Sequence, residues 1–473
     1  MFSLTGNRAT HRLPPGPRGY PLLGMMPALK RDPIGVYRDA ARRFGEVSYF
    51  EIANRRGYMP TNPDDIKHVL QDNARNYKKS PLYEKLKVVV GDGLVTSEGA
   101  FWLRQRRIVQ PAFHRQRVAG LVSVMAQAAT ETADTWETTA VGREWIDVGR
   151  EMMRLTRTII LRTMFGTDLG PLAAEVDGTW TVVNQHIGES FWSLGLTEGL
   201  PTPRNLRYRR ALAVLDRAVF AIIEQRRREA HDTGDLLSML LFARDEETGD
   251  VMTDRQLRDE VMTIFLAGHE TTSLALTWIW YLLSQHPDAQ QLVEREVDAS
   301  LQGRTPGYED LAPLPYTRMV IEEAMRLYPP AWGFSRQALG PDTIGGYHLP
   351  KGWLVFVIPA VMHRLPAYWA DPDRFDPLRF TPEQAAARPK FVYLPFGAGP
   401  RQCIGNQFAL IEAQLIVATL AQRYRLRLLP GHPVEPWALV TLRPRYGMKM
   451  IVERRPAPAS LEASRKPQDV ARV

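Results

Sequence analysis

A single cysteine, Cys403, stands in a chain of 473 residues. This scarcity excludes any internal disulfide and every zinc or iron–sulfur site built from cysteines alone. His269-Glu270 opens in the manner of a zinc-protease helix, but the second histidine would have to stand at Ser273, so that reading fails. The first dozen residues lack an apolar run, which predicts neither a signal peptide nor a membrane-spanning helix and places the protein in the cytoplasm. The formal net charge is +8, yet no basic stripe with interleaved aromatics appears. Nucleic acid is therefore excluded as a partner, and an acidic protein or anionic ligand groups are favoured. Long linkers are missing as well, and with 44% hydrophobic residues the chain can fill one large core.

Against these absences stands one dense stretch, Phe396-Gly397-Ala398-Gly399-Pro400-Arg401-Gln402-Cys403-Ile404-Gly405. A helical pattern (Phe408, Ala409, Ile411, Leu415, Ile416) begins directly after it. Cys403 is thus expected on a glycine-rich loop at a helix N-terminus, where free N–H groups and the positive dipole end favour a thiolate. The glycines let a flat ligand approach the backbone, and Arg401 adds a cation. A lone cysteine is ordinarily a small buried hydrophobe. A core cysteine, however, has no need of three glycines, a proline and an arginine around it. The spacing F-x-x-G-x-R-x-C-x-G resembles the haem-binding signature of the cytochrome P450 family. In that resemblance Cys403 is the thiolate ligand of the iron, and Phe396, Gly399, Arg401 and Gly405 form the bed of the cofactor.

Upstream, Leu13-Pro14-Pro15-Gly16-Pro17 resembles the family's proline-rich hinge. From Phe44 to Thr61 the period drops to two, which reads as a hairpin with its turn at Asn54 to Gly57. Asn62 then caps a short helix through Val69. Residues 79 to 97 are less regular and end in Gly91-Asp92-Gly93. Trp102 and Arg106 lie one turn apart on a helix face. That pair suits a carboxylate held between an indole N–H and a guanidinium, or simply a solvated basic helix. The resemblance places Trp-x-x-x-Arg at a haem propionate and implies that Arg336 meets a second one. Between about 118 and 250 run amphipathic helices without a chemical motif, broken at Pro201-Thr202-Pro203 where a lid is expected. Asp232 to Asp235 and Asp245 to Asp250 read as solvent loops.

A long helix is expected after Thr253, whose side chain forms a capping box with Gln256, and it continues without proline to His286. Its middle reads Ala267-Gly268-His269-Glu270-Thr271-Thr272, where the Thr271 hydroxyl can bond the carbonyl of Ala267. Residues alone leave this as a threonine pair in a packed helix. The resemblance makes Glu270 and Thr271 an acid–alcohol pair that delivers protons to bound oxygen, with Ala267 and Gly268 against the cofactor. Glu323 and Arg326 sit at i and i+3, a spacing that is common on surfaces. Their apolar setting and the resemblance imply a buried structural triad, completed by Arg379 and not by the nearby Arg374. His363-Arg364-Leu365-Pro366 departs from the family's usual His-Arg-Asp-Pro, so a local change of packing is expected at Leu365. Tyr424-Leu426-Leu428 and Met448-Met450-Val452 alternate like strands, and the turn at Leu439-Val440-Thr441 is expected to reach the pocket.

The resemblance implies a mainly α fold with a small β lobe, haem lying between the long helix and the cysteine loop. Residues 13–454 are expected to form one monooxygenase domain, its β-rich lobe at about 30–75, 335–362 and 424–454. The flanking residues 1–12 and 455–473 read as tails, the second rich in proline and charge. The implied cofactor is haem b (heme b, protoporphyrin IX iron). No flavin or nicotinamide signature marks a fused reductase, so electrons are expected from a separate protein, a small acidic ferredoxin with its ferredoxin reductase. That donor would approach the face carrying Arg104, Arg107, Arg115 and Lys390, and the enzyme is expected to be a monomer. The substrate is expected to be a hydrophobic small molecule, a terpenoid, fatty acid or polyketide, hydroxylated or epoxidised beside Tyr83, Leu86, Val90, Phe265, Ala331, Trp332, Phe334 and Val440. Two other classes compete. A haem-thiolate peroxygenase or isomerase needs no external electrons, but such relatives typically replace the acid–alcohol pair. A haem sensor or carrier would have no use for Glu270 and Thr271.

Overall fold

The longest element is the helix Asp254–Gln285, and the other helices are arranged around it. Its start is set locally, because Gln256 N donates to Thr253 Oγ1 (3.3 Å) while Thr253 N donates to Gln256 Oε1 (2.8 Å). Val261, Met262, Leu266, Leu274 and Trp278 are all buried, on every side of the helix. A helix that is apolar all round belongs inside a core and not on its surface. This central helix packs against Val148–Met164, Pro203–Glu229, Pro315–Leu327 and Asn406–Arg423. Gly268 allows the first of these approaches, since a Cβ there would stand 2.6 Å from Ile160 Cδ1. The glycine expected against the cofactor thus serves helix packing.

The structure is a computed structural model that describes residues 12–168, 170, 172–190, 200–229, 233–244, 249 and 251–456. The expected tails at 1–11 and 457–473, the loop residues 245–248 and 250, and Asp232 lie outside them. Among the described residues no helix is long and apolar enough to cross a membrane.

The architecture is mainly helical with a small β region. Five strands form its largest sheet, in the order Val47–Ile52, Arg55–Pro60, Leu354–Val357, Phe334–Ala338, Tyr77–Lys79. The hairpin turn falls at Ala53 and Asn54, tighter than the expected Asn54 to Gly57. Gly57 belongs to the strand instead, where it pairs with Leu354 and leaves no room for a side chain against that residue's carbonyl. Strands Tyr424–Leu428 and Lys449–Arg454 form where alternation placed them, but they do not join this sheet. They pair with each other and with Ile146–Asp147, and Tyr424, Leu426 and Met450 pack into the helical core.

Asn62 Oδ1 accepts from Asp64 N (2.9 Å) to cap Pro63–Lys67, and a π-helical turn carries the segment on to Asp72. The stretch 79 to 97 is more regular than expected, with a helix over Glu84–Val90. Its end is fastened to the central helix, because Asp92 N donates to Asp259 Oδ2 (2.9 Å) and Leu94 N to Glu260 Oε2 (3.0 Å).

Glu323 and Arg326 are fully buried on the helix Pro315–Leu327 and meet in a two-pronged pair of 2.6 and 2.7 Å. Burial pushes the Glu323 carboxyl up, against the pull of Arg326. Arg326 also donates to the carbonyls of His363 (2.9 Å), Pro372 (2.6 Å) and Arg374 (2.9 Å). Arg379 Nε lies 3.6 Å from Glu323 Oε1, whereas Arg374 takes part only through its carbonyl. Leu365 packs between two apolar clusters, and Arg364 donates to Asp373 Oδ1 (2.5 Å).

Replacing Glu323 by alanine leaves a buried guanidinium facing carbonyls alone, at a cost of about 3–5 kcal/mol. The variant is expected to melt well below the parent in a thermal scan followed by circular dichroism. Coincident melting curves would show that the pair stabilises nothing.

Candidate functional site

The backbone after Leu394 folds into an arch. Gly397 N donates to Leu394 O (3.1 Å), Gln402 N to Gly399 O (3.0 Å) and Cys403 N to Phe396 O (2.9 Å). Gly399 adopts φ +68°, and a Cβ there would collide with the carbonyl oxygen of Leu70. Only glycine fits a left-handed position pressed against another backbone. Cys403 rides on the arch, accessible, two residues ahead of Gly405, the N-cap of the helix Asn406–Arg423. The expected gain in its acidity does not appear in the chain alone: desolvation pushes the thiol up, outweighing the Gly405 N–H and the charge of Arg106. A thiol in surroundings that disfavour free thiolate gains most from a metal that takes the negative charge.

The cations are distributed differently from their order in the sequence. Arg401 turns away from the sulfur. Its guanidinium lies 3.7 Å from the centre of the Trp102 ring, donates to Ser97 O (2.9 Å) and pairs with Glu98. Arg106 is the cation that acts on Cys403, and it donates to Gln402 O (3.0 Å). Both arginines sit on the helix Gly99–Val109 or against it, so that helix is held to the cysteine arch. Arg336 is buried, donates to Ser335 O (3.2 Å) and lies 5.0 Å from the Phe334 ring.

Across from the cysteine helix, the central helix is buried at Phe265, Leu266, His269, Glu270 and Thr272 but accessible at Ala267 and Thr271. One interrupted turn therefore faces open space. Thr271 Oγ1 donates to Ala267 O (2.9 Å), the back-bond expected of a mid-helix threonine. Glu270, about 100° further round the helix, points elsewhere. Its Oε1 accepts from Asn184 Nδ2 (2.6 Å), from Thr441 Oγ1 (2.8 Å) and from Arg443. Asn184 and Arg443 carry no sequence motif, and sequence reasoning missed both.

Three of the pocket candidates, Phe265, Val90 and Trp332, are buried. Phe265 is buried against His269, with ring centres 4.9 Å apart. Val90 is buried, and its carbonyl accepts from Thr263 Oγ1 (3.4 Å). Trp332 is buried with its indole N–H on Leu439 O (2.9 Å), and Phe334 lies beneath Arg336. Tyr83, Leu86, Ala331, Phe334 and Val440 keep accessible surface. An apolar residue signals burial, but not which wall it faces. A surface groove of about 640 Å³ between Arg115–Thr139 and Thr305–Glu309 includes none of these residues.

The arrangement suits a flat, dianionic iron porphyrin. An accessible sulfur lies on one side and an open helical turn on the other, while the buried guanidinium of Arg336 and the half-buried ones of Arg106 and Arg401 outnumber the carboxylate paired there, Glu98.

A family model described as Cytochrome P450 matches residues 14–450. "Cyclooctatin synthase" of Streptomyces melanosporofaciens is 40% identical over 430 residues, covering 90% of this chain and 92% of that protein. "Cyclooctat-9-en-7-ol 5-monooxygenase" of the same organism is 37% identical over 417 residues, covering 88% and 90%. "Pentalenene oxygenase" of Streptomyces avermitilis is 33% identical over 428 residues, covering 90% and 94%.

A methyl group at position 399 would force the arch off Leu70. Gly399→Ala is expected to lower both the yield of coloured protein and the melting temperature, while Gly397→Ala, where the added Cβ meets nothing within 4 Å, retains more colour. Equal haem content in the two variants would show that the contact with Leu70 does not shape the site.

Proposed function

The chain belongs to the cytochrome P450 family of redox-partner-dependent monooxygenases, and on that premise we propose that it oxidises a terpenoid skeleton, with haem b as cofactor and a ferredoxin as electron donor. The observation that carries the reading is the pairing of an accessible Cys403 on a glycine arch with an accessible turn, Ala267 to Thr271, in the buried middle of the central helix. Two relatives carry the names of compounds they act on, cyclooctat-9-en-7-ol and pentalenene, which supports a cyclic terpenoid over a fatty acid or polyketide. A monomeric, cytoplasmic enzyme is part of the same proposal.

Haem held by Cys403 would supply the activation of oxygen. The chain orients it and manages protons. Trp102, Arg106, Arg336 and Arg401 hold its edge, with guanidinium groups matched to carboxylates. Thr271 holds a hydroxyl proton at the accessible turn. Its bond to Ala267 O can be given up, which frees the hydroxyl to turn toward the reacting side. Glu270 starts from a closed position and has to exchange Asn184 or Thr441 before it can pass a proton toward Thr271. Tyr83, Leu86, Ala331 and Val440 offer accessible, mostly apolar surface to a hydrocarbon and thereby exclude water.

Three measurements test this. The reduced carbon monoxide complex is expected to show the strongly red-shifted Soret band of thiolate ligation, lost in Cys403→His; a spectrum typical of histidine ligation in the parent would sink the assignment. Optical titration with cyclic terpenes, fatty acids and macrolide precursors is expected to displace the resting spectrum with the terpenes, and a response to fatty acids alone would overturn that substrate class. Thr271→Ala is expected to bind substrate and consume reductant while product per reductant falls and hydrogen peroxide rises. Glu270→Gln is expected to slow turnover by roughly 10²–10⁴-fold as a lost general acid–base group. Tight coupling in Thr271→Ala would return that residue to a packing role.

A further inference from the structure

Three side chains donate to Glu270 Oε1, and two of them keep an unused polar atom. Asn184 is fully buried on the helix Leu172–Ser190, and its Nδ2 donates to that oxygen (2.6 Å). This bond fixes the direction of the amide, because a flipped side chain would set two oxygens against each other. Asn184 Oδ1 is then the acceptor left over, and among the described residues it has no partner. Arg443 gives a terminal nitrogen to Glu270, while its buried Nε has no partner among the described residues either. A buried polar atom without a hydrogen bond is costly, and native interiors hold few of them. Here an acceptor and a donor remain in one cluster.

The cluster adjoins the surface assigned to the substrate. Glu270 precedes the accessible Thr271, and the buried Thr441, which also donates to Glu270 (2.8 Å), follows the accessible Val440. The turn that carries Thr441 is held from both ends, since the indole N–H groups of Trp332 and Trp278 donate to Leu439 O (2.9 Å) and Leu442 O (3.1 Å). A Cβ at Gly188, one turn beyond Asn184, would stand 2.8 Å from Leu439 Cβ, so the helix rests directly on this turn.

We propose that the cluster receives a hydroxyl already present on the substrate, which donates to Asn184 Oδ1 while its oxygen accepts from Arg443 Nε. The inference rests on the terpenoid reading and narrows it to terpene alcohols. A ketone or an ether has nothing to donate to Oδ1, a carboxylate would oppose both Oδ1 and Glu270, and a plain hydrocarbon leaves both atoms unpaired. The hydroxyl has to be installed before this enzyme acts, so the reaction that supplies the substrate is an oxygenation or a cyclisation quenched by water.

The test uses purified holoenzymes, the parent, Asn184→Leu and Arg443→Lys, the last keeping a cation for Glu270 but no Nε–H. Each is titrated optically with two pairs of probes that differ by the hydroxyl, cedrol against cedrane and menthol against menthane. The parent is expected to bind each alcohol more tightly than its hydrocarbon. Both variants are expected to weaken the alcohols roughly ten-fold, the size of a hydrogen bond whose buried partner is left unpaired, and to leave the hydrocarbons within about two-fold. If Asn184→Leu shows no thiolate carbon monoxide band, Arg443→Lys and the parent carry the comparison. Equal weakening of alcohol and hydrocarbon would mean that these residues only hold the helix on the turn, and the assignment falls. It falls as well if the parent responds to both classes without preferring the alcohols. A parent that responds to fatty acids and to no terpenoid would instead remove the reading on which the inference stands.

Discussion

The structure depends on a buried ion pair whose effects reach the cysteine through backbone. Arg326, neutralised by Glu323, donates to the carbonyl of His363. His363 Nε2 in turn accepts from Leu394 N (2.8 Å), and Leu394 O accepts from Gly397 N at the foot of the arch. Cys403 N closes the arch on Phe396 O. The middle step requires a neutral imidazole, because a protonated ring has no lone pair to accept with. Burial and the Arg326 charge secure it by lowering His363 to about 3. A buried pair is poor evidence of stability in general, but this one holds five backbone groups, of His363, Pro372, Arg374, Asp376 and, through the imidazole, Leu394. Its work is placement of the cysteine loop.

Charge around the site follows a complementary logic. Cations gather along one edge and are held in an arrangement that is unfavourable until an anion arrives, as the depressed Arg401, at about 10, indicates. Of the carboxylates nearby, Glu98 pairs with Arg401, while Glu412 is buried, and desolvation raises it well above the usual carboxylate range although Thr272 bonds to it. Preorganised charge of this type is assembled by folding, so it requires little rearrangement when the ligand binds.

Glu270 ties three elements together. Asn184 comes from the helix Leu172–Ser190, Thr441 and Arg443 from the hairpin that pairs Pro436–Ala438 with Leu442–Pro444, and the carboxylate itself from the central helix. Any displacement of these elements that breaks the cluster changes the hydrogen bonds and the direction of Glu270 together.

What the sequence by itself determined was whatever is contiguous. The glycine arch, the capping box at Thr253, the Thr271 back-bond, the Glu323–Arg326 pair and the strand at Tyr424 all depend on spacings of a few residues, and each is present. Tertiary structure alone decided where side chains turn. Arg401, two residues from Cys403, reaches across to Trp102, and Arg106, distant in sequence, becomes the cation at the sulfur. Phe265 and Trp332 went into the core instead of the pocket, and Gly268 went to helix packing. The partners of Glu270 lie 86, 171 and 173 residues away along the chain. Local propensity acts over one or two turns of helix and a strand's alternation over its own length, so contacts of that separation leave no trace in the residues around either partner.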